Sequence, residues 1–308
     1  MEFSGEAGVR AAARRLGLGT VQFGQDYGIT NPRGQVREDE VASILNLAAE
    51  AGIDTIDTAR SYGTSESVIG RCSPDDAMFR IVTKTPKFGG VADGDEAAAQ
   101  LRAAFETSLE ALGRKDVYGL LLHDVNDLFG PVARALWQAM EGLKSSGRAA
   151  KIGISIYDGA EIDRVLDEYP IDIIQVPFNA LDDRLIKGGQ LNRLASAGVE
   201  IHARSLFLQG LLLAPTEDIP ARFAPIRSAV EQLDSVFAGQ RLSRLEGLLA
   251  LAFQQREIGR YIIGVTSSDE LRAILAALEK AEQADPVEWM PPAIDPVFLN
   301  PARWDELS

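Results

Sequence analysis

The chain has 308 residues, 46% of them hydrophobic and 25% charged, which is ordinary globular composition with enough apolar material for a full core. Its formal charge of −14 disfavours nucleic acid and anionic membrane surfaces as partners, because the long-range field repels both. Cys72 is the only cysteine and no apolar run approaches ~18 residues, so no disulfide framework and no membrane-spanning helix are expected, and the protein reads as cytoplasmic.

In chain order, the opening "MEFSGEAGVRAAARRLG" carries arginines and small residues but no apolar h-region, so it is not read as a secretory signal, and residues 1–14 are expected to be loose. The first strand is "RLGLGTVQF", followed by a helix from near Glu38; then come "TIDTA" and a helix from Thr64, "RIVTKTP" and a helix from Asp95, and "VYGLLLHD" and a helix from Pro131. The second half repeats the alternation. "AKIGISIY" precedes a helix from Gly159 and "IDIIQVPFN" one from Gly189. "EIHARSLFL" is followed by an inserted helical stretch from Pro220 to Ala238 and a helix from Ser243, and "RYIIGVT" by a helix from Ser267. The strands are apolar on both faces, as buried parallel strands must be. "SRLE" from Ser243 and "SSDE" from Ser267 read as S-x-x-E capping boxes, and Gly52, Gly113, Gly147 and Gly198 as left-handed helix ends. With no linker to divide the alternation, eight β-α units predict one closed (β/α)₈ TIM barrel over residues 1–308, with 285–308 as a C-terminal tail. A doubly wound sheet is the other α/β arrangement considered, but no G-x-G-x-x-G follows the first strand.

In such a barrel the chemistry gathers where strands give way to the following loops. The polar residues there are Asp57, Tyr62 on the next loop, Lys84, His123 with Asp124, Ser155, Gln175, Asn179, Arg204 and Ser205. Each has an ordinary alternative: an Asp caps, a Tyr packs, a Lys is solvated. Together they say more. A Lys inside the apolar "IVTKTP" needs a carboxylate if buried, and Asp57 on the neighbouring strand can supply it. An ammonium beside a phenol is expected to lower the Tyr62 pKa from ~10 toward working pH and to support it as a proton donor, while His123 orients the same target. No metal site is expected.

These residues carry a resemblance to the aldo-keto reductase superfamily, through "LGLGT", "GIDTIDTARSYGTSESVIG" with its Asp-x4-Tyr spacing, "IVTKTP", "LLLHD", "IGIS", "IIQVPFN" and "RSLFLQG". The resemblance runs over nearly the whole chain and implies a catalytic tetrad of Asp57, Tyr62, Lys84 and His123, with NADP(H) or NAD(H) bound in extended form across the strand ends. It assigns cofactor contacts to Gly19, Thr20, Asp57, Ser155, Gln175, Arg204, Ser205, Leu206, Phe207, Gln209, Gly210, Gly264, Thr266 and Ser268, and implies a small aldehyde, ketone, sugar or alcohol as substrate. Two rival functions remain: a nicotinamide-binding redox sensor or regulatory barrel, and an unrelated barrel enzyme using Lys84 as a Schiff base.

There are departures from the family pattern. Ile156 stands where many members have Asn, and Arg204 where many have an aromatic residue that stacks on the nicotinamide. NADPH-preferring relatives run Pro-Gly-x-Lys-Ser-x-x-Arg after strand eight; Thr266 and Glu270 replace both cations here, and Arg272 is expected to face away from Glu270. A weakened NADPH preference is expected. The long loops that cover substrate in some members are missing, which implies an open pocket, and the tail residues Phe298 and Trp304 either close over the mouth or pack on a helix.

Overall fold

Short runs of Ile, Val and Leu that alternate with amphipathic segments leave a chain few ways to bury both faces of each strand, and here they close into a ring. The computed structural model describes residues 8, 10–74 and 79–307. Strands β1 (Leu16–Gly19), β2 (Thr55–Asp57), β3 (Arg80–Lys84), β4 (Val117–Leu122), β5 (Ala149–Ser155), β6 (Ile173–Pro177), β7 (Glu200–Arg204) and β8 (Arg260–Gly264) form a closed barrel in chain order. Every neighbouring pair is parallel, and β8 returns to β1 with Gly19 opposite Gly264. This is the (β/α)₈ barrel expected from the sequence.

The helices α1 (Glu38–Ala51), α2 (Ser65–Cys72), α3 (Gly94–Leu112), α4 (Ala133–Ser145), α5 (Gly159–Glu168), α6 (Gln190–Ser196), α7 (Ala224–Gly239), α8 (Arg244–Phe253) and α9 (Ser268–Gln283) surround it. The large core lies between strands and helices, while Val82, Leu121 and Ile173 form a separate inner cluster. That follows from the period of two along each strand, which sends alternate side chains inward in layers. The same alternation places Asp57, Lys84, Ser155, Gln175 and Arg204 at the loop end of the barrel.

The four anticipated glycines all adopt positive φ, from 63° at Gly113 to 90° at Gly52. The inserted helix α7 starts later than Pro220, because Pro225 lacks an N–H and is accommodated only in the first turn of a helix. Of the stretch read as loose, residues 10–13 are helical and Ala12 and Ala13 are fully buried; residues 1–7 and 9 lie outside the described residues. The tail packs rather than hangs. Trp304 stacks edge-on against Phe223 with ring centroids 4.8 Å apart, and Trp289 Nε1 donates to Ala180 O at 2.7 Å. No helix among the described residues is long and apolar enough to cross a membrane.

Candidate active site

Lys84 ends β3 with 1% of its surface exposed, and Asp57 ends β2 with 3%. The Lys84 Nζ donates to both carboxylate oxygens of Asp57, at 2.8 and 2.7 Å, and to Thr58 O at 3.0 Å. It also stands 3.4 Å from the Tyr62 hydroxyl. Gln175 Nε2, on β6, donates to Asp57 Oδ1 at 2.7 Å. One carboxylate thus holds the ammonium and a neighbouring amide together, as a buried charge requires.

The Tyr62 loop is fixed from below. A Cβ on Gly24 would stand 1.8 Å from Tyr62 O, so only glycine lets the two backbones approach. Ser65 Oγ lies within hydrogen-bonding distance of Thr20 O, Thr20 Oγ1 and Thr58 Oγ1. The Thr20 hydroxyl in turn donates to Asp57 O. Thr20 is therefore fully buried and its side chain is committed to holding the end of β2. His123 follows β4; its ring meets the Tyr62 ring edge-on at 5.8 Å, and its Nδ1 lies 3.1 Å from Ser61 Oγ. A Ser61 hydroxyl donating to Nδ1 leaves Nε2 carrying the proton, ready to donate to an oxygen between the two rings.

The electrostatics differ from the sequence expectation at Tyr62. Burial raises the phenol pKa above its ordinary value, and the opposing pull of Lys84 does not overcome it. The phenol stays protonated at neutral pH, which is the form a general acid needs. Burial works against the Lys84 ammonium, but the charges and hydrogen bonds of Asp57 and Tyr62 outweigh it and its pKa is raised. Burial, with Lys84, Lys87 and Arg204 nearby, lowers His123 to about 3, so its imidazole is neutral.

The other predicted positions ring this centre. Gly19 and Gly264 face each other across β1 and β8, and a Cβ on Gly264 would meet Gln22 Nε2 at 2.7 Å. Gln22 Oε1 is buried without a partner. Ser155 and Gln175 are side by side in the β5–β6 register and both are buried. After β7, Ser205, Leu208 and Gln209 all have positive φ, at 66°, 48° and 53°. Such a run in non-glycine residues costs of order 1–3 kcal/mol each and is characteristic of functional loops. Leu206 and Phe207 turn into the core, so this loop offers backbone rather than their side chains.

The loops after β1 and β7 are tied together. Gln209 Nε2 donates to Tyr27 OH at 3.1 Å, Thr30 Oγ1 to Gln209 O at 3.0 Å, and Ile29 N to Gln209 Oε1 at 3.3 Å. These bonds join the loops of the two strands that flank β8. A Cβ on Gly210 would collide with Thr30 Oγ1 at 2.0 Å, so glycine is needed at that closure.

At the start of α9, Ser267 accepts from Glu270 N, but the Glu270 carboxylate does not return to Ser267. It accepts instead from Thr266 N at 2.7 Å and Thr266 Oγ1 at 2.8 Å. A second carboxylate, Glu40 of α1, accepts from Ser268 N. The N–H groups of Thr266 and Ser268 are thus already paired with protein carboxylates, and that of Glu270 with the Ser267 hydroxyl. Arg272 curls back to Asp269 at 2.7 Å and to Ser268 Oγ at 3.3 Å, so one cation does remain beside this turn.

Sequence reasoning missed Ser61, Tyr27, Gln22 and Glu40. Only Ser61 carried a local signal, lying inside the Asp57–Tyr62 loop; the other contacts join residues far apart in the chain.

The Aldo/keto reductase family model matches residues 15–288. Solved structures agree in fold. An aldo-keto reductase from Pseudomonas aeruginosa is 24% identical with a TM-score of 0.65, over 87% of this chain and 90% of that one. The holo form of an aldo-keto reductase from Bacillus halodurans is 20% identical with a TM-score of 0.67, over 89% and 93%. No curated protein matches the sequence. With a family match that spans the barrel, and with Asp57, Tyr62, Lys84 and His123 gathered at its loop face, the chain belongs to the aldo/keto reductase family of oxidoreductases.

Proposed function

We propose that the protein reduces the carbonyl group of a small aldehyde or ketone, or oxidises the corresponding alcohol, with Tyr62 as general acid and base and a nicotinamide cofactor bound across the strand ends. The observation that carries this reading is the enclosed Lys84 ammonium, ion-paired with Asp57 on one side and touching the Tyr62 hydroxyl on the other. When bound, the reduced nicotinamide supplies the hydride. Tyr62 donates its proton to the oxygen that becomes the hydroxyl, and Lys84 stabilises the phenolate left behind. Neutral His123 holds that oxygen through Nε2 without competing for the proton.

Several features fit the cofactor. The Gly19–Gly264 pair leaves the β1 and β8 ends bare, and Gln22 Oε1 beside them is a buried acceptor in want of a donor. Ser155 and Gln175 suit a carboxamide, Gln175 through its oxygen because its Nε2 is bonded to Asp57. The backbone from Ser205 to Gly210 suits a pyrophosphate, with Arg204 at its entry. Thr266 and Ser268 sit where the adenosine end would reach, but Glu40 and Glu270 have taken their N–H groups, which favours ribose hydroxyls over a 2′-phosphate. The cofactor proposed is NAD(P)H with a lean toward NADH.

A panel of aldehydes and ketones assayed for consumption of each reduced cofactor tests this. Turnover that disappears in Tyr62→Phe supports it. Tight cofactor binding with no turnover on any carbonyl would instead favour the redox-sensing reading.

A further inference from the structure

We propose that Arg204 receives an anionic group of the substrate, so that the preferred carbonyl compounds carry a carboxylate or a group of like charge and shape. This rests on the carbonyl-reductase reading above and narrows its substrate class.

The guanidinium is placed but not neutralised. Its Nη2 donates to Ile156 O at 3.0 Å and its Nη1 to Ser205 Oγ at 3.2 Å, and its carbon lies 4.4 Å from the centre of the Tyr157 ring. All three partners are uncharged. Among the described residues no carboxylate lies within ion-pair distance of Arg204, although the chain carries 45 acidic residues against 31 basic ones. The other cations of the pocket are compensated, Lys84 by Asp57 at 2.7 Å and Lys87 by Asp124 at 3.3 Å. Arg204 is half-buried, and its Nε, which makes no hydrogen bond, is not among the buried atoms without a partner, so this edge of the guanidinium faces accessible space.

Its position is that of a substrate-binding group. Arg204 ends β7 at the same face as Lys84 and Gln175, and its positive charge acts on Tyr62, His123 and Tyr27, although burial is the larger effect at each, lowering His123 and keeping both phenols above their ordinary pKa. Its acceptor Ser205 is held at a φ of 66°, a conformation rarely occupied without functional reason. A planar fork with stacked support suits a carboxylate, which it can bind through two parallel hydrogen bonds. Neutral His123 adds no charge, so the pocket presents one uncompensated positive centre inside a strongly acidic protein.

The test compares kcat/KM for 3- and 4-carboxybenzaldehyde with that for their methyl esters, which keep the ring and the aldehyde but lose the charge. The parent is expected to favour at least one acid over its ester by about tenfold or more. That ratio collapses in Arg204→Met and survives in part in Arg204→Lys. Added salt shrinks it in the parent. Equal treatment of acids and esters by the parent, or a ratio unchanged in Arg204→Met, overturns the proposal. So does a rise in cofactor dissociation constant in Arg204→Met with no change in ratio, which would mean that the guanidinium serves the cofactor's own phosphates. Calorimetric titration with benzoate and benzamide needs no turnover. If no aldehyde is reduced yet benzoate alone binds, and only to the parent, the reductase reading fails while the anion site stands; if neither compound distinguishes parent from variant, the anion site fails too.

Discussion

Replacing Asp57 with alanine removes the two carboxylate oxygens that accept from the Lys84 ammonium, and the partner of Gln175 Nε2, in a region where these side chains are nearly inaccessible to water. What remains for the ammonium is Thr58 O at 3.0 Å and the Tyr62 hydroxyl at 3.4 Å. Breaking a buried pair in this way costs about 3–5 kcal/mol. The alternative is for Lys84 to shed its proton. From an unfolded pKa of ~10.4 that costs roughly 4.6 kcal/mol at pH 7, about 1.4 kcal/mol for each pH unit, and so sets a ceiling of similar size. The two routes differ in pH dependence. If Lys84 is neutral in the folded variant, the unfolded chain binds one more proton below pH ~10.4, so the variant's stability rises with pH by up to about 1.4 kcal/mol per unit. The parent has a raised Lys84 pKa and shows no such rise from this group below that pH. Urea unfolding followed by circular dichroism at pH 7 and pH 9 measures both effects. A loss below about 1 kcal/mol at pH 7 would refute the reasoning, since it would mean that the ammonium finds water or another acceptor as readily as Asp57.

Tyr62→Phe is expected to lower carbonyl reduction by about 10²–10⁴-fold, with the cofactor dissociation constant within a few-fold of the parent, because only the proton donor is removed. His123, held neutral to about pH 3 against ~6.5 when unfolded, should give kcat/KM no imidazole limb between pH 5 and 8. Its contribution to stability is present above pH ~6.5 and is lost as the pH falls toward 3, because the unfolded chain protonates first. Thr266→Lys with Glu270→Arg should shift relative affinity toward NADPH by about tenfold or more at low salt. A parent that already binds NADPH a hundredfold tighter than NADH would show that Arg272 or another cation holds the phosphate. Asp57→Asn with Lys84→Met should unfold within about 1 kcal/mol of the parent, because Asn keeps an acceptor for Gln175 and no charge is stranded, yet it should be inactive.

The order of strands and helices was legible because each strand is a short apolar run with glycines and caps at its ends, and these signals are local. Asp57, Lys84, His123, Ser155 and Gln175 were visible for a related reason, as polar residues breaking apolar strands at the end where loops begin. The protonation of Tyr62 was not visible. Two effects of opposite sign act on it, and their balance depends on how far the fold removes the phenol from water. The carboxylates at the start of α9 were half visible: Glu270 stood in a cap motif, but its choice of Thr266 over Ser267 is set by loop geometry, and Glu40 arrives from 228 residues away. Arg272 makes no contact with Glu270, as helix periodicity implies, but its contacts with Ser268 and Asp269 were not visible, because a long flexible side chain in the first turn can fold back on its own helix start. The bridge from Tyr27 to Gln209 joins two loops with no pairing pattern of their own, and nothing local marks it.

The Lys84–Asp57 pair is hard to explain as a device for stability. Two charges taken from water recover little more than an apolar pair would, and the barrel already fills its interior with Val82, Leu121 and Ile173 in the layer below. What an apolar pair could not do is place a fixed positive charge 5.0 Å from the centre of the Tyr62 ring and 3.4 Å from its oxygen. That charge is too weak to ionise the phenol at rest, since burial wins, and this suits the proposed mechanism, in which the proton stays on Tyr62 until an oxygen in need of it arrives. Once the proton has left, the same burial makes the phenolate costly, and Lys84 is the group that stabilises it. Under the proposed mechanism the pair therefore acts mainly on the negative charge that develops on Tyr62 as its proton leaves, and so on the transition state, which is where a contribution to rate must act.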